Sequence, residues 1–134
     1  MDGLIIKKKW LDLIASGEKT LEIRGCNTKK IGKTIYLLES GSNLVRATCT
    51  IDSTYPISCS DWCEEKEKHC VEMPYSELLK RYKIPYAWVL RSVSLMEEEW
   101  KYKHPKGAIV WVKDVMPSSE ITKGYIDVSV KQNM

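Results

Sequence analysis

No run of apolar residues in this sequence approaches the roughly eighteen that a membrane-crossing helix requires. A positively charged start followed by an apolar run and a cleavage site is missing as well. The chain also lacks a Gly-rich phosphate loop, a serine-hydrolase elbow and a paired-carboxylate metal motif, which argues against an NTPase, an esterase and the common nucleases. Neither an internal repeat nor a linker long enough to divide the chain is present. The five cysteines (Cys26, Cys49, Cys59, Cys63 and Cys70) are an odd number, so a disulfide framework is not indicated and a reduced setting, cytoplasmic or nuclear, is expected.

What is present fits one domain over residues 1–134. At 134 residues and 43% hydrophobic composition, the chain can bury a continuous core without metals or disulfides. The 29% share of charged residues fits a globular chain, and the periodic stretches are too short for a helical bundle. A net charge of +3 does not by itself mark a nucleic-acid binder. Its distribution is more informative: residues 1–33 hold eight Lys or Arg against four acids, and residues 61–77 hold six acids against two lysines. Such a split predicts a basic face and an acidic face, with an anionic partner meeting the N-terminal third.

Leu4, Ile5 and Ile6 read as a short buried strand, and Trp10, Leu13 and Ile14 then take helical spacing up to Gly17, a C-cap candidate. Residues 19–24 alternate as a half-buried strand, with Leu21 and Ile23 on one side and Thr20, Glu22 and Arg24 on the other. Turns at Gly32 and at 40–43 bracket strands over 33–39 and 44–51, two adjacent strands whose short connection predicts a hairpin. Residues 58–72 are polar, acidic and without a period, and read as a variable loop with at most a helical turn. A helix is predicted over 73–83, with Leu78, Leu79 and Tyr82 toward the core and Pro85 as its stop. Residues 86–94 read as a strand buried on both faces, and 108–115 as the strongest strand signal. The 125–130 segment alternates again, as in a final edge strand or an ordered tail. About six strands joined mostly by turns, with two or three helices, predict a mainly β, α+β fold with a small curved or barrel-like sheet.

The chemistry-bearing stretch is Gly17-Glu18-Lys19-Thr20-Leu21-Glu22-Ile23-Arg24. Alternation sets Glu22 and Arg24 side by side, where a carboxylate and a guanidinium hold each other and present acceptors and donors. The same pattern is equally that of a solvated cross-strand pair of little energetic worth. Gly17-x-Lys19-x-x-Glu22-x-Arg24 after a short helix resembles the signature of the ASCH family, in the PUA-like superfamily. The resemblance continues through Gly32-Lys33-x-Ile35-Tyr36-Leu37, Arg46-Ala47-Thr48-Cys49-Thr50-Ile51 and His104-Pro105-x-Gly107-Ala108-x-x-Trp111, and spans residues 4–115, leaving 116–134 as an extension.

That resemblance implies a partly open β-barrel with a cleft faced by Lys19, Glu22 and Arg24, and RNA or a modified nucleoside as ligand, with no cofactor. It also offers two enzymatic alternatives, hydrolysis of the acetylcytidine amide and RNA cleavage, in which Lys19 and Glu22 are the catalytic candidates. Glu22 stands where the amidohydrolase pattern has its threonine, and Thr20 lies two residues from that position, so this activity does not carry over. A protein-interaction module using the acidic 61–77 segment is a further alternative.

Stacking surfaces for a base are sought in Trp111, Tyr36 or Tyr55, of which Trp111 and Tyr36 read equally well as core. Lys7, Lys8, Lys9, Lys29 and Lys30, with Lys33, are candidate phosphate contacts or simply a solvated face. Cys59, Cys63, His69 and Cys70 lack the paired short spacings of zinc modules, so no metal is expected. His104 is expected to serve the turn at Pro105, with a general-base role as the alternative.

Overall fold

The computed structural model describes residues 1–118. The alternating 125–130 segment lies outside the described residues. Strand β1 (Gly3–Ile6) is buried along its whole length, Leu4 and Ile6 facing one core cluster and Ile5 another. Helix α1 (Lys8–Ser16) turns Leu11 and Ile14 inward and stops at Gly17, whose φ of 88° lets its N–H reach the carbonyl of Ile14 at 3.1 Å. Strands β2 (Leu21–Arg24), β3 (Thr34–Glu39) and β4 (Leu44–Pro56) follow. Three short helices come next: α2 (Cys59–Glu64), α3 (Lys66–His69) and α4 (Tyr75–Arg81). The described chain ends with β5 (Tyr86–Lys101) and β6 (Trp111–Val112).

The six strands form one sheet in the order β2-β5-β4-β3-β1-β6. Only the β1–β3 pair is parallel, because α1 and β2 intervene and carry the chain back across the sheet. The register of β4 on β5 shifts at three places, and such irregularities bend and twist a long ribbon. The sheet curls without closing, leaving β2 and β6 at its edges, so the chain is mainly β with α and matches the partly open barrel expected. The main core lies between α1 and the sheet, with Leu4, Leu11, Ile14, Leu37, Ile51 and Trp88 fully or almost fully buried. A separate cluster of Leu21, Ile57, Trp62, Leu78 and Ala87 packs α2 and α4 against the β2 end of β5. None of the described helices is long and apolar enough to cross a membrane.

Four local expectations are corrected. Residues 58–72 are not a loop: the Ser58 hydroxyl accepts the Asp61 N–H while the Asp61 carboxylate accepts the Ser58 N–H, and this reciprocal cap starts α2. The 108–115 signal yields only the two paired residues Trp111–Val112, with Ile109 80% exposed, since β6 has just the short β1 to pair with. Burial of β5 on both faces holds for Ala87, Trp88 and Leu90 and ends at Arg91, beyond which the strand runs on to Lys101 largely exposed, with only Met96 and Trp100 half-buried. Leu79 points outward at 45% exposure, because α4 ends at Arg81 and offers the core only Leu78.

Truncating a fully buried leucine removes transfer free energy and leaves a cavity. Leu37→Ala is therefore expected to cost about 2–5 kcal/mol in urea unfolding, whereas Leu79→Ala should change stability by about 0.5 kcal/mol or less.

Candidate functional site

The left-handed turn at Gly17 folds the chain back so that the Lys19 N–H donates to the Leu13 carbonyl at 3.0 Å and the Thr20 N–H to the Lys68 carbonyl at 2.9 Å. The start of β2 is thereby tied to α1 on one side and α3 on the other. The Lys19 side chain runs inward and is 2% exposed. Its Nζ donates to the His69 carbonyl at 2.5 Å, lies 3.9 Å from Glu22 Oε1 and sits 4.9 Å from the ring centre of Trp10. Glu22 Oε2 accepts both Arg24 Nε at 2.9 Å and Arg24 Nη2 at 2.7 Å. Arg24 Nη2 also donates to the Ile5 carbonyl at 3.0 Å, and the guanidinium lies 5.8 Å from the ring centre of Trp88. The alternation in β2 does place Glu22 and Arg24 together, and the turn before it brings Lys19 to the same carboxylate.

These three side chains line a cleft of about 320 Å³. Trp10 from α1, Trp62 from α2 and Tyr82 just after α4 also line it, with Lys7 and Arg81 contributing further cations. Tyr82 can approach because Gly25 follows β2: a Cβ there would lie 2.5 Å from Tyr82 Cδ1. Val71 and Met73 complete the wall on the side of the short helices. The polar segment that the sequence left without structure is thus one side of the cleft.

His69 holds that side in place. It is fully buried and stacks on Trp62 with ring centres 3.8 Å apart. The Val71 N–H donates to Nδ1 at 3.0 Å, which makes Nδ1 the acceptor and leaves the proton on Nε2, 2.8 Å from the Trp62 carbonyl. Burial pushes the His69 pKa down, with the Trp62 carbonyl opposing and the Lys19 charge reinforcing the shift. Burial likewise pushes the Lys19 pKa below that of a free lysine, against the pull of the Glu22 carboxylate.

The remaining candidates lie elsewhere. Trp111 does not line the cleft: it stacks on Trp88 at 5.9 Å and carries Lys30 Nζ 5.0 Å above its ring. Tyr36 meets Trp100 edge-on at 5.5 Å, and the Tyr55 hydroxyl donates to Glu65 Oε2. Of the lysines proposed as phosphate contacts, only Lys7 lines the cleft. Lys8 pairs with Asp12 and Lys30 with Asp2, Lys9 Nζ sits 4.7 Å from the Trp10 ring centre, and Lys29 and Lys33 are exposed away from the lining. Cys59 and Cys63 are exposed, the Cys70 thiol faces the Glu18 and Glu67 carbonyls, and both ring nitrogens of His69 are engaged by backbone. Among the described residues no group of three or more His, Cys, Asp or Glu is arranged to hold a metal ion. His104 closes its own turn between the Tyr102 hydroxyl at 2.8 Å and the Ala108 carbonyl at 3.0 Å. Sequence reading missed Trp10, Trp62, Tyr82 and Arg81 as cleft residues. The one available signal was the Ser58-x-x-Asp61 cap, which announces a helix carrying Trp62.

Two outcomes follow from this geometry. Glu22→Gln removes the only carboxylate that lines the cleft among the described residues and strands two cations, so a loss of about 3–5 kcal/mol is expected in urea unfolding. His69 has a folded pKa below its usual 6.5, so the unfolded chain binds more protons between those two values. The stability it contributes is complete above 6.5 and drains away as pH falls through the lowered value. Unfolding free energies of the native chain should therefore fall more steeply with acid below 6.5 than those of His69→Gln.

No protein-family model matches the chain, and no curated protein matches it. Solved structures do. The ASCH protein of Zymomonas mobilis superposes with a TM-score of 0.65 at 13% identity, covering 94% of this chain and 93% of that one. Two point mutants of the same bacterial protein superpose equally well, one at a TM-score of 0.66 over 95% of this chain and 94% of that one, the other at 0.65 over 94% and 96%. Agreement over nearly the whole of both chains, at an identity that speaks for architecture alone, establishes that this chain has an ASCH-like fold.

Proposed function

We propose that the cleft binds a single nucleotide unit, as part of RNA or as a modified nucleoside, through the hydrogen-bonding edge of its base. The observation that carries this reading is the pairing of a donor, Lys19 Nζ, with an acceptor, Glu22 Oε1, 3.9 Å apart on the cleft floor. Base edges place carbonyl or ring-nitrogen acceptors beside amino or imino donors, and a fixed donor–acceptor pair reads such an edge. Lys19 spends one N–H on the His69 carbonyl, and Glu22 spends Oε2 on Arg24, which leaves the other N–H groups and Oε1 for a ligand. The aromatic residues Trp10, Trp62 and Tyr82 offer flat apolar contact around them. A volume of about 320 Å³ suits one base with its sugar and is too small for a duplex. The RNA association that the ASCH resemblance implies points the same way.

The lowered pKa of Lys19 favours one second reading, an enzyme. A lysine that is easier to deprotonate beside a carboxylate can act as a general base or stabilise charge in amide hydrolysis or RNA cleavage. Binding and turnover are separable with one variant. Fluorescence anisotropy with labelled single-stranded RNA, and calorimetry with a panel of nucleosides, should show binding by the native chain that weakens by about tenfold or more in Lys19→Met, with circular dichroism unchanged. Undiminished affinity in that variant would sink the cleft as the binding site. Hydrolysis of acetylcytidine or of RNA by the native chain, lost in Lys19→Met, would establish the enzyme reading.

A further inference from the structure

We infer that the cleft carries a phosphate subsite formed by Lys7 and Arg81, so that its ligand is a phosphorylated nucleotide or an internucleotide linkage rather than a free nucleoside. The inference rests on the nucleotide reading above and assigns the charge that such a ligand must bring. Among the described residues four cations line the cleft, Lys7, Lys19, Arg24 and Arg81, against one carboxylate, Glu22. The two inner cations are engaged: Arg24 doubly on Glu22 Oε2 and on the Ile5 carbonyl, Lys19 on the His69 carbonyl and beside Glu22 Oε1. Glu22 therefore has no neutralising capacity left for the other two.

Lys7 and Arg81 are exposed, and neither makes a side-chain hydrogen bond or ion pair among the described residues. Their sequence neighbours behave differently. Lys8 is paired with Asp12 at 2.7 Å and Lys80 with Glu77 at 3.0 Å, both on their own helices. What distinguishes Lys7 and Arg81 is that they line the cleft while Lys8 and Lys80 do not. They come from separate elements, Lys7 at the N-cap of α1 and Arg81 at the last turn of α4. A base held on the floor by Lys19 and Glu22 would leave its sugar phosphate in the field of these two side chains. Arg81 can grip two phosphate oxygens with its planar fork, and Lys7 can add a point charge. A free nucleoside would leave this excess positive charge uncompensated.

The test is calorimetry with the four common ribonucleosides, their 5′- and 3′-monophosphates and a dinucleotide, on the native chain and on Arg81→Gln, Lys7→Gln and the double variant. At least one monophosphate or the dinucleotide should bind the native chain about tenfold more tightly than its nucleoside. The double variant should abolish that ratio, and Lys80→Gln, one residue away but off the cleft, should preserve it. Preference for a monophosphate over the dinucleotide identifies a terminal phosphate, and the reverse an internucleotide one. Equal affinity for nucleoside and nucleotides in the native chain, or a ratio that survives the double variant, overturns the phosphate subsite alone. If no member of the panel binds, the nucleotide reading fails and the subsite fails with it.

Discussion

A lysine ammonium buried to 2% exposure is the constraint around which this fold is arranged. Removing a charge from water is costly unless other groups replace its hydration, so partners must come from wherever the chain can supply them. Three elements do so. Strand β2 brings the Glu22 carboxylate, α1 brings the face of Trp10, and the end of α3 brings the His69 carbonyl. The short helices are therefore more than a cover, because one of their carbonyls is a direct partner of the cation beneath. His69 in turn needs its two backbone contacts and its stack on Trp62 to hold that carbonyl still.

The same economy of charge shapes the rest of the cleft. One carboxylate is shared by a lysine and an arginine, and the arginine also bonds the Ile5 carbonyl, linking β2 at one edge of the sheet to β1 near the other. This bond spans the mouth of a sheet that does not close, and keeps its two ends in register with each other. Donors and acceptors fixed in this way need little reorganisation when a ligand arrives, which is how a small cleft can discriminate between polar edges. Apolar walls from Trp10, Val71, Met73 and Tyr82 lower the local polarity and strengthen each polar contact within.

Much of the frame was legible because it depends on local periodicity. Leu4 to Ile6, the helix ending at Gly17, and the alternation of Leu21, Glu22, Ile23 and Arg24 all appear where hydrophobic spacing put them. Trp111 shows where local reading fails. Its apolar run is as strand-like as any in the chain, yet its ring stacks on Trp88 instead of lining the cleft, and its strand is cut to two residues for want of a partner. Residues 58–72 fail in the opposite sense: too polar to show a period, they still bury Trp62 and His69 completely enough to wall the site.

The sequence by itself determined the mainly β, α+β class of the fold, the β2 pattern that puts Glu22 next to Arg24, and the sign of the charge near them, since each follows from spacing and composition within a few residues. Only the tertiary structure decided that Lys19 turns inward, that α2 and α3 close over it, and that Trp10, Tyr82 and Arg81 meet there. Those outcomes join residues as far apart in the chain as Trp10 and Tyr82, through burial and long-range hydrogen bonds that no local period encodes.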